Sequence, residues 1–525
     1  MDADTDPRLI AGLLQPQAYP QGAGATAAPV DHIETHISHV FLSGDHAYKL
    51  KKVIDLGFLD YSTLERRHFC CEEEVRLNRR LSPDLYRGVV AITGSPEQPR
   101  MGGAGSVLEY AVDMRRFAQE TLLTQVTLTP DLIDRIATRV AAFHEQIPRA
   151  DPLGPFGTPS AVLAPMLENL RQVRARVRDP GVADRLDRLR TWTLERWKVL
   201  TPAIGHRLET GRVRECHGDL HRANIALEQG EPLFFDGIEF NPGLRWIDTA
   251  SELAFLIMDL EEAETPGLAG RLLNQYLEHT GDFGALEVLD LYKVYRAMVR
   301  AKVLAIRLDQ ADLTAAQSAT ERCDCAHYLA LAESYTHTRR PCILIACGLS
   351  GSGKSTLARR LSESLPIMIH LRSDVERKRL FGLPGETRSD AGRGAGIYFP
   401  QATAWTYLRL QCLAGGILAC GYDVVVDATF LTRARRATFQ NLARQCGAGF
   451  AIIVLMAPLR LLRTRVAQRL AAGSDASEAS IAVLEHQRVV WERPSLAERR
   501  STIIINSTDL PPLPGIVRQI AELTT

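Results

Sequence analysis

Lysine is scarce in this 525-residue chain: only eight of its 62 basic residues are Lys, at positions 49, 51, 52, 198, 293, 302, 354 and 378. Lys is the compact, rotatable cation that serves phosphate sites as a point charge, so the few present draw attention to where they stand. Net charge is also missing, with 62 basic against 62 acidic residues, which excludes a whole-molecule field drawing in nucleic acid or an anionic membrane. Ten cysteines occur without a C-x-x-C pair, which excludes a zinc ribbon or a disulfide framework and suits reduced, buried thiols. The close pair Cys323 and Cys325 is assigned no role. Long apolar runs are absent too. FAIIVLMAPL at 450–459 is about half the ~18 residues a membrane span needs, and the N-terminus lacks the basic stretch of a secretory signal, so a cytoplasmic protein with no membrane partner is expected. No internal repeat or low-complexity tract stands out.

What is present is globular. A hydrophobic fraction of 46% and a charged fraction of 24% are ordinary, and the length exceeds the ~250–300 residues at which single cores stop growing. Residues 1–31 end in a stretch rich in Gly, Ala and Pro that reads as a flexible arm. HISHVFL and AYKLKKV, separated by Ser43-Gly44-Asp45, predict a β-hairpin. Ser62 and Glu65 form a capping-box pattern ahead of a helix reaching about Arg80. YRGVVAIT and SVLEYAVDM predict a second hairpin around the loop at 94–105. Beyond Thr129-Pro130 the period becomes 3.6, predicting helices at about 130–146, 159–178 and 183–204. A loop-and-strand stretch at 212–240 precedes further helices from 246 to 335. Near 336–341 the pattern switches to strand, Gly-rich loop, helix and then αβ alternation. The expected organisation is a first domain at 32–335, with a β-rich lobe over 32–120 and a helical lobe over 121–335, then a linker at 336–341 and a second domain at 342–525.

Two constellations carry chemistry. HGDLHRAN at 217–224 is followed by an apolar strand and DGIEFN from 236. Asp219 offers a carboxylate that can take a hydroxyl proton, Asn224 an oxygen ligand, and Asp236 a second metal ligand at a strand end. Phosphoryl transfer needs that set. His144 and His221 read first as structural histidines. GLSGSGKS at 348–355 fits G-x-x-x-x-G-K-[ST], between the strand CILIAC and the helix STLARRL. Gly348, Gly351 and Gly353 let the backbone amides of a loop that includes Ser352 turn toward phosphates. Lys354 bridges the phosphates, Ser355 coordinates Mg²⁺, and Thr356 follows at the helix N-terminus.

The first constellation, with RWIDTASELAFL after it, resembles the aminoglycoside phosphotransferase and choline-kinase-like group of the protein-kinase superfamily. That resemblance implies an α+β bilobal kinase-like fold, Asp219 as catalytic base, and Asn224 and Asp236 as Mg²⁺ ligands. It also implies a strand Lys on the ATP phosphates held by a helix Glu. Lys49 is the first choice with Lys51 close behind, and Glu74 the first partner with Glu73 second. LEYAVDM resembles the hinge that receives adenine, implicating Glu109 and Ala111. The second domain resembles the small P-loop kinases, including gluconate-kinase-like enzymes, polynucleotide 5′-kinases and zeta-type kinases. The implied fold is a doubly wound α/β P-loop NTPase with a parallel sheet. By that resemblance Asp374 activates the acceptor hydroxyl and Asp427 binds the Mg²⁺ water, although Asp374 also reads as a helix N-cap. The stretch 460–480 looks like the lid that carries Arg onto the phosphoryl. Arg463, Arg465 and Arg469 are candidates, Arg469 first, against the alternative of a merely solvated helix face.

Together these features predict an ATP- and Mg²⁺-dependent kinase, each domain phosphorylating a hydroxyl of a small molecule. One alternative gives the P-loop domain a nucleic-acid 5′-hydroxyl as acceptor. The missing aromatic stripe and the neutral charge weigh against it. Another makes the protein a non-catalytic regulator gated by ATP.

Overall fold

The computed structural model describes residues 5–20, 29–57, 59–177, 179–308, 313–365, 368–385, 387, 396–472, 476–509 and 511–524. The chain divides into two compact units: residues 1–135, 142–259 and 295–322 in the first, and 136–141, 260–294 and 323–525 in the second. This grouping departs from a cut at 336–341, because residues 260–294 cluster with the P-loop segment.

The first unit opens with α1 (Pro7–Leu13), then β1 (Asp31–Glu34), β2 (Ser38–Ser43), β3 (His46–Lys51), α2 (Leu64–Asn78), β4 (Tyr86–Ser95), β5 (Gln98–Met101) and β6 (Val107–Arg115). The strands form one antiparallel sheet in the order β1-β2-β3-β6-β4-β5. The predicted first hairpin is β2–β3, paired from Ser38↔Lys51 to Ser43↔His46. The second is more elaborate than expected: β4 pairs with both β5 and β6, so a short extra strand occupies the Gly- and Pro-rich loop.

Alternation along β3 decides which side chains meet. Tyr48 and Leu50 pack with Phe41, Ile92 and Ala111 against Leu9 and Leu13 of α1, which sends Lys49 and Lys51 to the other face, toward α2. The flexible-arm expectation is therefore corrected over residues 5–20. Leu9, Leu13, Ala18 and Tyr19 are buried, because the apolar face of β3 needs a cover. Residues 21–28 of that arm lie outside the described residues. The α2 cap is also displaced by one residue. Thr63, extended at φ −112°, accepts from the Arg66 amide, whereas the Ser62 hydroxyl donates to Asp60 at 2.6 Å.

After this sheet come α3 (Pro130–Gln146), α4 (Pro159–Arg176), α5 (Pro180–Glu209), β7 (Val213–Glu215), β8 (Ile225–Glu228), β9 (Glu231–Phe234), α6 (Pro242–Arg245), β10 (Trp246–Asp248) and α7 (Thr249–Glu262). β7 pairs with β10 and β8 with β9, both antiparallel. These two short ladders bracket the HGD segment. Then follow α8 (Pro266–Thr280), α9 (Ala285–Arg307) and α10 (Ala315–Ser334).

The second unit holds β11 (Cys342–Cys347), α11 (Lys354–Ser364), β12 (Met368–Arg372), α12 (Ser373–Leu380), α13 (Pro400–Ala419), β13 (Asp423–Asp427), α14 (Arg433–Gln445), β14 (Gly449–Met456), α15 (Leu459–Ala472), α16 (Ile481–Val490), β15 (Thr502–Asn506) and α17 (Leu513–Thr524). Five parallel strands run in the order β12-β13-β11-β14-β15, so β11, the strand feeding the Gly-rich loop, is central. A βαβ unit buried on both faces wants unbroken apolar strands, and CILIAC and DVVVD supply them. Within this unit α8 serves the P-loop fold. The Asn274 amide donates to the Met368 carbonyl at 3.0 Å and accepts from the His370 amide at 2.7 Å, closing the free edge of β12. Arg372 reaches Glu278 at 2.6 Å.

All ten cysteines are free, but three of them, Cys323, Cys412 and Cys446, are exposed rather than buried. Among the described residues no helix is long and apolar enough to cross a membrane.

Candidate active sites

In the first unit a cavity of about 460 Å³ opens between the sheet and the helices. Lys49, Glu74, Asp219, His221 and Asp236 all line it, together with apolar residues of β2, β3 and the end of β6. Lys49 Nζ donates to Glu74 Oε1 at 2.9 Å and to the Asp236 carboxylate. Burial alone would make that ammonium easier to deprotonate, but Asp236 and Glu74 outweigh it and raise its pKa. Glu74 is held down to about 2, its burial being more than offset by Lys49 and Lys51. Lys51 lies deeper, fully buried, donating to Glu74 Oε2 at 2.7 Å, to Tyr61 at 3.3 Å and to Glu239. Glu73 is engaged elsewhere, with Arg76 and Arg245.

The HGD segment sits in a loop whose Gly218 has φ 89°, and a Cβ there would meet the Leu244 carbonyl at 2.9 Å. Asp219 Oδ2 accepts from Asn224 Nδ2 at 2.9 Å, and the same amide donates to the Asp219 carbonyl at 2.9 Å. With its nitrogen so committed, Asn224 keeps its amide oxygen for a cation. His221 Nε2 is 3.3 Å from Asp219 Oδ2. Burial would raise the Asp219 pKa, but the charges of His221, His217 and Arg300 hold it well below the usual carboxylate range. Asp236 itself adopts φ 65°, with its amide donating to the Tyr86 hydroxyl at 2.9 Å. Its carboxylate is 44% exposed toward the cavity. A carboxylate and an amide oxygen are the hard donors that suit Mg²⁺.

Glu109 and Ala111 do not line this cavity, which corrects the hinge expectation. β6 is an interior strand, so Ala111 is flanked by Leu50 of β3 and Val90 of β4, and the Glu109 carboxylate pairs with Arg67 at 2.6 Å. The chain reaches the cavity only as β6 ends, with Met114, Arg116 and Phe117.

Behind the loop stands a residue that the sequence did not single out. Glu252 of α7, fully buried, accepts from the amides of His217 at 3.1 Å and Gly218 at 2.6 Å, and meets His144 Nε2 at 3.0 Å. Its pKa falls to about 2: burial opposes ionisation, and His144, His217 and the Gly218 amide more than compensate. His144 thus has the structural place expected of it, and His221 stands next to Asp219. Nothing local in the sequence links Glu252 to a loop more than thirty residues upstream, so only the fold reveals it.

The second site is built at the C-terminal end of β11. Gly351 and Gly353 adopt φ 79° and 88°, and a Cβ at Gly351 would meet the Leu462 carbonyl at 2.9 Å. Gln487 of α16 accepts from the Ser350 amide at 2.8 Å, while Lys354 Nζ turns back to the Leu349 carbonyl at 3.0 Å. Burial lowers the Lys354 pKa, against the pull of Asp427 and Asp374. Asp427, ending β13, lies beside Ala346 and Arg372 in the sheet. Burial would raise its carboxyl, but His370, 3.5 Å away, with Lys354 and the Ser355 hydroxyl, brings it down to about 2. Asp374 occupies the first turn of α12, which has no side-chain cap bond, so the N-cap alternative finds no support. Ser352 is buried and Thr356 belongs to α11.

Of the three lid arginines, Arg463 pairs with Glu485 at 2.6 Å and Arg465 bonds the Gly351 and Ser507 carbonyls. Arg469 donates to the Ala479 carbonyl at 3.2 Å, and its charge is felt at Lys354. His370 and Gln487 were not anticipated, since neither belongs to the Gly-rich motif.

Comparison with known proteins assigns the two sites to two different families, the first match running on through residues 260–292 of the second compact unit. Residues 71–292 match the phosphotransferase enzyme family, and residues 343–494 match an AAA domain family. Uncharacterised proteins of Mycobacterium tuberculosis and Mycobacterium bovis are 29% identical over 467 residues, covering 88% of this chain and 91% of theirs. Among solved structures, an amicoumacin kinase in complex with AMP-PNP covers 57% of this chain and 88% of its own at 15% identity and TM-score 0.37. The Mycobacterium tuberculosis APS kinase, in complex with AMPPNP and APS, covers 35% and 98% at 22% identity and TM-score 0.26. A segment of the phosphotransferase enzyme family and an AAA-domain segment built on a P-loop thus share one chain, and the chain is an ATP-dependent phosphotransferase.

Proposed function

We propose that the protein is a bifunctional kinase in which each domain transfers the γ-phosphate of ATP to a hydroxyl of a small molecule, with Mg²⁺ as cofactor, in the cytoplasm. The observation that carries this reading is the convergence of Asp219, Asp236 and the Lys49–Glu74 pair on one cavity, with Asn224 bonded to Asp219. Lys49 would meet the ATP phosphates while Glu74 keeps it in place. Asn224 and Asp236 would hold Mg²⁺, which supplies charge neutralisation for the phosphates. Asp219 orients the acceptor hydroxyl and takes its proton as the new P–O bond forms. Its low pKa keeps it ionised at neutral pH, and so always able to accept that hydrogen bond.

In the second unit Gly348, Gly351 and Gly353 leave room for phosphates against the backbone, and Lys354 can exchange the Leu349 carbonyl for a phosphate oxygen. The nearby Ser355 hydroxyl and Asp427 carboxylate would hold Mg²⁺, and Asp374, whose charge acts on Lys354, would serve as base. The test is ATP turnover with a panel of hydroxyl compounds, comparing wild type with Asp219→Ala, Lys354→Ala and the double variant. Each single change is expected to remove one acceptor class, with a rate loss of ~10²–10⁴. Unaltered turnover in all three variants would refute the reading.

A further inference from the structure

Five charged groups at the wall of the first cavity form one chain of contacts. Lys49 joins Glu74 to Asp236, and Lys51 joins the other oxygen of Glu74 to Glu239. Tyr61 closes the far end: its hydroxyl donates to Glu239 and takes a bond from Lys51 at 3.3 Å. Three carboxylates against two ammonium groups leave one negative charge in excess. Lys51, Glu74 and Glu239 are buried and the Asp236 carboxylate is half-exposed, so the excess falls where a cation can reach it. The same groups hold the backbone. Asp236 at φ 65° keeps a conformation that a non-glycine residue holds only where its neighbours fix it. Tyr86 fixes its amide, Asn78 Oδ1 takes the Gly237 amide at 2.8 Å, and Lys51 with Tyr61 anchors Glu239 three residues on.

Resting on the phosphotransferase reading of this site, we propose that Glu239 is a positioning residue for its metal: by holding Lys51 it leaves Glu74 free to hold Lys49, and so leaves Asp236 to Mg²⁺. Glu74 has one oxygen for each lysine. With Glu239 made neutral, Glu74 would be the one anionic partner left to Lys51 among the described residues. Glu74 would be drawn to Lys51, and Lys49 would lean on Asp236 and compete with the metal for that carboxylate. Glu239 thus acts through Lys51 rather than by touching the metal, and the two roles respond differently to removal of Lys51.

The test uses the full chain bearing Lys354→Ala, so that nucleotide capture reports the first site. AMP-PNP is titrated by calorimetry at graded Mg²⁺, with a denaturant midpoint for each variant as the check on folding. Glu239→Gln is expected to raise the Mg²⁺ concentration needed for half-maximal nucleotide binding about 10-fold, in the range typical of groups that orient a metal ligand. Glu239→Asp, which keeps the charge but shortens its reach, should give a smaller rise in the same direction and carries the measurement if the amide variant does not fold. Adding Lys51→Met to Glu239→Gln removes the competitor for Glu74 and should bring the Mg²⁺ requirement back toward wild type. A requirement unchanged in both Glu239 variants, or a rise that Lys51→Met does not reverse, would overturn the proposal, the second outcome making Glu239 a metal ligand or a folding residue. Asp236→Asn separates this from the wider reading. If it too leaves the Mg²⁺ dependence untouched, the metal-site reading of Asp236 fails and the role of Glu239 with it, whereas a loss there beside unchanged Glu239 variants refutes the positioning alone.

Discussion

Glu74 serves two masters at once: one oxygen takes Lys49 and the other Lys51. Removing its charge would leave two ammonium groups buried beside a neutral amide, and truncating one partner of a buried ion pair typically costs about 3–5 kcal/mol. Glu74→Gln is therefore expected to lower the unfolding midpoint of the first unit in denaturant as well as to weaken nucleotide binding. Glu252 gives a second, pH-resolved expectation. Its folded pKa of about 2 lies below the ordinary glutamate value, so its contribution is present above about pH 4.5 and is lost as the pH falls toward 2. Glu252→Gln should be destabilised at neutral pH and show a shallower acid limb of stability than wild type, read as denaturant midpoint against pH. A limb as steep as that of wild type would show that another carboxylate governs acid unfolding.

At the scale of elements, much was legible because local chemistry and fold agreed. The β2–β3 hairpin followed from its Ser-Gly-Asp turn, and α3, α4 and α5 from their 3.6 period, each helix starting at a proline. The Gly-rich loop was readable because its three glycines sit where backbone geometry tolerates little else. Gly351→Ala, which would drive a methyl toward the Leu462 carbonyl at a positive φ, is expected to abolish nucleotide binding to the second unit. Equilibrium titration with an ATP analogue would show it. What stayed hidden depended on distant partners. Ala111 looked like a hinge until β6 proved interior to the sheet, and α1 looked like part of an arm although it covers one face of that sheet. Glu252 and Arg300 reach their sites from helices whose sequence announces only burial.

For the molecule as a whole, α8 matters more to the P-loop unit than a cut at 336–341 suggests. It closes the β12 edge through both ends of the Asn274 amide. Asn274→Ala leaves a buried carbonyl and an amide without that partner, at about 1–3 kcal/mol, so the second unit should melt earlier. A fragment of residues 342–525 alone would present that edge to other chains. It is expected to associate, as light scattering would register, whereas a fusion restoring 260–294 stays dispersed.

The back-folded Lys354 has a calorimetric consequence. Burial makes its ammonium lose a proton more readily than an ordinary lysine, and the arrival of a polyanion reverses that tendency. Triphosphate capture by the second unit should then draw protons from the medium at alkaline pH. The heat of binding would track the ionisation enthalpy of the buffer, and that dependence would vanish in Lys354→Met.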